Sequence, residues 1–216
     1  MVRFEDMLKF LFSILILSIM SCSKNMTDSN YTPTGTTTDP QVVNAELTQL
    51  VQAFSTQYGV SVSYSVSLDS GGVKTGTTTS GGTIIGLCEI YSDGSRYVYI
   101  NQDWFSRSST LSFHKRILVY HELGHCSFNR SHDSRMYTKP NSYDSYNVPF
   151  SIMYPSVNPI IYWYNTYSSY FLQELGDSTT AGTLSGLTQA PLIDFGNLNK
   201  ISFPMTLDNE GNINCE

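Results

Sequence analysis

His121 to His132 reads HELGHCSFNRSH, and it closes a stretch in which Leu111, Phe113, Ile117, Leu118, Leu123 and Phe128 recur at the spacing of one helical face. Ser108, Ser109 and Thr110 stand ahead of that stretch and offer N-cap oxygens. Residues i and i+4 of a helix share a face, about 6 Å apart along the axis. His121 and His125 can therefore both reach one Zn2+ at the ~2.0 to 2.1 Å that an imidazole nitrogen requires. Glu122 is turned about 100° from His121. Its carboxylate is thus expected beside a metal rather than on it, the place of a general base acting on metal-bound water. Three of the four histidines fall between 121 and 132. The fourth, His114, precedes His121 by two turns, about 10.5 Å along the axis, too far for the same ion, and is expected to be a packed or supporting side chain. Cys126 projects about 100° away from His125 and is not expected to be a ligand.

Working outward, residues 41 to 58 place Val43, Leu47, Leu50, Val51 and Phe54 at helical spacing, and Gly59 follows as a C-terminal cap. Val60 to Leu68 alternates apolar residues with Ser, which predicts a half-buried strand. Gly71 to Gly82 reads as a hairpin or mobile loop. Thr83 to Tyr91 and Arg96 to Asn101 are two β-type segments around the turn at Ser92-Asp93-Gly94, with Trp104 as a core anchor behind them. Tyr162 to Leu175 has helical aromatic and apolar spacing and would end at Gly176. Residues 177 to 216 are polar, apart from a short apolar piece near Ile201 to Met205, and carry no role legible here.

At the N-terminus, Arg3 and Lys9 precede the apolar run Phe10 to Met20. That run is about half the ~20 residues needed to span a bilayer, so it reads as an export signal. Its end, Ile19-Met20-Ser21-Cys22, resembles a bacterial lipobox, which implies removal of residues 1–21 and lipidation of Cys22. The alternative is an ordinary secretory signal with an incidental Cys22; in both cases the protein leaves the cytoplasm. Residues 22–41, rich in Ser, Thr, Asn, Gly and Pro, then form a flexible tether. The expected location is the cell envelope, anchored by lipid to the outer membrane or cell surface. With Cys22 lipidated, Cys88, Cys126 and Cys215 remain, an odd number. Cys88 with Cys126 is the preferred bridge, against a reading of all three as small buried hydrophobes. The chain of 216 residues holds 18 Asp plus Glu against 12 Lys plus Arg, a net charge of -6. It therefore lacks the basic footprint of a nucleic-acid binder.

The motif and its sequel resemble the metzincin clan of zinc endopeptidases, whose signature is HExxHxxGxxH followed by a tight turn containing methionine. SIMYP at Ser151 to Pro155 looks much like that Met-turn. The resemblance departs from the pattern in that His132 lies one residue late and Phe128 stands where the family has glycine. Asn129 can take over the left-handed helix exit, and Asn129-Arg130-Ser131-His132 keeps the spacing from turn to ligand. Asp133 is the competitor of His132 as third ligand. The resemblance implies an α+β fold over residues 42–176: a compact domain with a twisted mixed β-sheet, a zinc-binding helix, the Met-turn and a C-terminal helix, followed by an extension, 177–216. It implies that Met153 is an apolar floor beneath the ligands and that Thr83 to Cys88 pairs with an extended substrate. The implied activity is zinc-dependent hydrolysis of peptide or protein substrates by a monomer, with His121, His125 and His132 holding the metal and Glu122 as general base. The alternative is a membrane-tethered surface lipoprotein that binds a partner or glycan through a Tyr-rich face and keeps a structural or vestigial metal site. A structural site has four protein ligands; a catalytic one leaves a position open.

Overall fold

Pro40–Tyr58 forms α1 in the computed structural model, which describes residues 40–78, 81–138, 147–176 and 200–215. α1 ends at Gly59, whose φ of +63° suits a residue without a Cβ. Leu47, Leu50 and Phe54 are buried along one side, and the Phe54 ring lies 5.2 Å from Tyr120 and 5.5 Å from Phe128. Those two residues belong to α3 (Ser112–Phe128), so the first helix packs on the histidine-bearing one.

The strands are β1 (Ser65–Asp69), β2 (Thr83–Tyr91), β3 (Arg96–Asn101), β6 (Lys200–Leu207) and β7 (Ile213–Cys215). They form one mixed sheet in the order β1-β3-β2-β6-β7, parallel only between β1 and β3. With its helices this makes an α+β fold. β1 is shorter than its alternation suggests. Its partner β3 begins at Arg96, and the register Ser65↔Tyr97 leaves Val60 to Ser63 beyond the start of that strand. Between β3 and α3, the short α2 (Gln102–Ser106) is capped by the Asn101 side chain, which accepts from Trp104 N–H at 2.9 Å, and buries Trp104 and Phe105.

The N-cap expected at Ser108 to Thr110 does not form. α3 starts behind Leu111 without a side-chain cap, because the Thr110 hydroxyl donates instead to the Trp104 carbonyl at 2.9 Å. A two-stranded hairpin, β4 (Met136–Thr138) with β5 (Asn147–Pro149), precedes the turn at 151–155. α4 (Val157–Gly176) begins earlier than its aromatic pattern indicates and changes direction at Tyr167, where φ is −124° and ψ 19°.

One expectation is overturned. Thr83 to Cys88 does not offer a free edge to an extended substrate: β6 runs antiparallel along all of β2, from Thr83↔Leu207 to Tyr91↔Lys200. β2 lies in the interior of the sheet with a buried run from Ile85 to Ile90, and an unpaired row of backbone groups there would carry a large desolvation penalty. Residues 200–215 accordingly belong to the main sheet and are no appendage to a domain ending at 176.

Pairing also decides which side chains face α3. Cys88 is disulfide-bonded to Cys126 of α3, with a Cα separation of 6.0 Å. The bridge closes a 38-residue separation, which in the chain-entropy picture is worth about 4 kcal/mol. Directly paired residues share a face, so Phe203 opposite Cys88, Met205 opposite Gly86, and Cys215 opposite Met205 all look toward α3. Among the described residues no helix is long and apolar enough to cross a membrane. Cys22, with the expected signal and tether up to residue 39, lies outside the described residues.

Candidate metal centre

α3 is fully enclosed from Ile117 to Cys126. His121, Glu122 and His125 are thereby removed from solvent, each with no exposed surface. The helix stops at Asn129, which takes φ +53° and ψ 35°, and Arg130 N–H closes the end by donating to the Gly124 carbonyl at 3.3 Å. This left-handed exit turns the chain back, so that His132 Nε2 arrives 3.1 Å from His125 Nε2. His121 Nε2 lies 3.1 Å from the same atom on its other side. The three ligand nitrogens fall within 4.8 Å of one another.

Two backbone carbonyls fix the tautomers. His121 Nδ1 contacts the Ile152 carbonyl at 2.8 Å and His125 Nδ1 the Arg130 carbonyl at 2.6 Å. A carbonyl only accepts, so each Nδ1 carries its hydrogen and each Nε2 presents a bare lone pair. Two such lone pairs 3.1 Å apart repel unless a cation lies between them. Ligand nitrogens of a tetrahedral Zn2+ would be about 3.3 Å apart given the Zn–N distance, so the donor set fits that ion. Burial, followed by the His132 charge, holds His121 down to about 3, against the Ile152 hydrogen bond that raises it. Burial holds His132 at about 4 and His125 well below its ordinary value. All three rings therefore stay neutral, as metal ligation requires.

The turn at 151–155 lies against this helix. A Cβ at Gly124 would fall 2.5 Å from Met153 Sδ, so the absence of a side chain there is what admits the buried methionine. A buried network holds the return loop, the turn and α4 together. The Arg130 guanidinium pairs with the Glu174 carboxylate and donates to the Glu174 carbonyl at 3.1 Å, while the Ser151 hydroxyl donates to Glu174 at 2.5 Å and accepts from Met153 N–H at 3.0 Å. Arg130 and Glu174 carry no sequence signal of this role, since both residue types are ordinarily exposed.

Glu122 is enclosed, and among the described residues its carboxylate has no side-chain partner, only the Cys88 backbone acting on it. It presses against β2, where a Cβ at Gly86 would fall 2.6 Å from its Oε1. Burial pushes its carboxyl well above the usual range, opposed by the backbone at Cys88. A buried carboxylate without a side-chain partner among the described residues, beside three imidazole nitrogens, marks a candidate functional site.

The remaining candidates fall as follows. Asp133 is turned away from the triad: its carboxylate accepts from Arg135 Nε at 2.7 Å, and its N–H donates to the Met153 carbonyl at 2.9 Å. His114 is half-buried against Phe113 and lies outside the cluster, with burial lowering its pKa. Two residues of the C-terminal hairpin enter the site without having been anticipated. The Phe203 ring stacks on His125 at 4.0 Å, and Cys215 Sγ lies 3.5 Å from His121 Nε2. Burial and then the Glu122 charge push the Cys215 thiol up. The odd cysteine was the one available sign of it. Comparison of the chain with protein-family models, curated proteins and solved structures gives no match.

Proposed function

We propose that this protein is a zinc-dependent endopeptidase resembling the metzincins, exported and anchored through Cys22, acting on peptide or protein substrates. The observation that carries the reading is Glu122: a fully buried carboxylate with no side-chain partner among the described residues, one residue along α3 from the first of three converging imidazoles. His121, His125 and His132 are the residues that would hold Zn2+, which when bound supplies Lewis acidity and lowers the pKa of water toward about 7.

The chain's own contribution is orientation and proton handling. The Ile152 and Arg130 carbonyls keep Nε2 of His121 and His125 free to ligate. Glu122 accepts a proton from the attacking water and delivers one to the leaving amine. Its enclosed setting, backed by β2 at Gly86, keeps that proton from exchanging with bulk solvent during the transfer.

Glu122→Gln should retain the metal and lose hydrolysis by about 10²- to 10⁴-fold. Metal content and chelator-sensitive cleavage of a peptide library are the measurements, and cleavage by this variant at the parent rate overturns the mechanism. A second reading, a surface-binding lipoprotein with a structural metal, is favoured by one observation: Cys215 stands beside the triad as a fourth protein ligand would.

A further inference from the structure

The hydrogen bonds that orient His121 and His125 converge on Glu174, a residue of α4 outside the triad. On one branch, His125 Nδ1 donates to the Arg130 carbonyl at 2.6 Å, and the guanidinium of the same Arg130 pairs with Glu174 Oε1. On the other, His121 Nδ1 donates to the Ile152 carbonyl at 2.8 Å. Ile152 sits inside a tight turn closed by the Ser151 hydroxyl, which accepts from Met153 N–H at 3.0 Å and donates to Glu174 Oε2 at 2.5 Å. The two oxygens of one carboxylate thus divide between the supports of two imidazoles. Arg130 Nη2 also reaches Ser151 Oγ at 3.4 Å and ties the branches together.

Burial makes this junction stiff. Arg130, Ser151 and Glu174 are all removed from solvent, so their hydrogen bonds act in a medium of low dielectric. The guanidinium further donates to the carbonyls of Glu174 at 3.1 Å and Leu175 at 3.3 Å, at the C-terminal end of α4, where a helix leaves its carbonyls unpaired. α3 fixes only where each imidazole is rooted. Whether Nε2 aims at the common point depends on the rotation of the ring, and that is set by the partner of Nδ1. A carboxylate that holds both partners therefore sets both rings at once.

We propose that Glu174 is a positioning residue for the metal ligands: from α4, through Arg130 and Ser151, it fixes the orientation of His121 and His125 together. The inference rests on the metal reading of the triad. Its consequence is that ligand geometry answers to a helix about fifty residues further along the chain, and that the two imidazoles lose their alignment jointly when the junction is cut.

The test uses the full chain, with Zn2+ for affinity and Co2+ for its visible spectrum. Glu174→Gln keeps the shape of the side chain and removes its charge. It should weaken Zn2+ binding about 10- to 100-fold in competition with a chromophoric chelator, and alter the d–d bands of the Co2+ form. In the metal-free chain, nitrogen-edited NMR should find the Nδ1–H protons of His121 and His125 protected from exchange in the parent and both faster in Glu174→Gln. Ser151→Ala, which cuts one branch, should accelerate His121 and spare His125. Arg130→Met with Glu174→Leu separates positioning from stability: apolar packing should restore much of the resistance to denaturant, while Zn2+ affinity stays about 10- to 100-fold below the parent. Affinity that returns with stability, parent affinity in folded Glu174→Gln, or a histidine whose exchange that variant leaves unchanged overturns the assignment. Failure of the unaltered chain to bind metal overturns the triad reading instead, and is told apart because parent and variants then fail alike.

Discussion

Two regions build the candidate metal centre, and they are held by different physics. The segment from α3 to the turn at 151–155 is locked by buried interactions: a disulfide to β2, the Arg130–Glu174 pair, and carbonyl bonds to two imidazoles. The hairpin of β6 and β7 arrives from far along the chain and is held by strand pairing and by lysines that stay half in water, such as Lys200 on Glu89 at 2.9 Å. The first region sets ligand geometry with little freedom. The second covers the site through strand pairing along β2 and through Met205 and Ile213 in the core, with half-exposed lysines at its margin, so a change at that margin need not disturb the triad.

The sharpest way to break this comparison is to attack the locked half. Arg130→Leu strands the Glu174 carboxylate in the interior, and removing one partner of a buried pair is expected to cost about 3 to 5 kcal/mol. Denaturant unfolding with and without Zn2+ should show that loss together with weaker metal binding, because the loop carrying the Arg130 carbonyl is the support of His125. Replacing both members, Arg130→Met with Glu174→Leu, should recover much of the stability. A loss below about 1 kcal/mol for the single change would mean that the pair does not hold the loop.

Gly124→Ala is a smaller perturbation of the same half. Helix propensity alone favours Ala by about 1 kcal/mol. The added Cβ, however, would meet Met153 Sδ at 2.5 Å and Leu175 Cδ1 at 2.8 Å in a closed core. Overpacking should win, with a net destabilisation of about 1 to 3 kcal/mol. A more stable variant would show that Met153 does not pack beneath the helix as described.

The same division explains what could be read from the residues alone. The histidine helix was legible because its periodicity and the i, i+4 pair are local, and Asn129 was legible because few residues accept a left-handed exit. Arg130 was not, because nothing in a loop arginine announces that it will be buried; it is partnered only once α4 closes on it. The choice between His132 and Asp133 likewise depends on Arg135, which draws the carboxylate away from the triad. β6 was the largest omission. Its run from Lys200 to Leu207 contains Pro204, which argues against a central strand, yet Pro204 pairs with Leu87 of β2. The partner of this strand lies 111 residues away at the Glu89–Lys200 contact, beyond the reach of any local pattern.

The mildest prediction addresses the hairpin's attachment. Burial pushes Glu89 up, but hydrogen bonds from Lys200 and Tyr91 and the charges of Lys200 and Lys74 outweigh it, so its carboxyl sits below the usual range. A carboxylate whose pKa is lower folded than unfolded contributes stability above the unfolded value, and that contribution disappears as pH falls through the folded value. Glu89→Gln should therefore cost about 1 kcal/mol at neutral pH, a modest figure because both lysines are largely solvated. Urea unfolding of parent and variant should converge as pH is lowered through the depressed carboxylate range, and the gap at neutral pH should narrow in high salt. Because Glu89 and Lys200 join β2 to β6, the variant should also expose the amides of β6 and β7 to faster hydrogen exchange while those of α3 keep their protection. Equal acceleration in α3 would show that hairpin and helix open as one unit, and the contrast between a locked half and a removable half would fail.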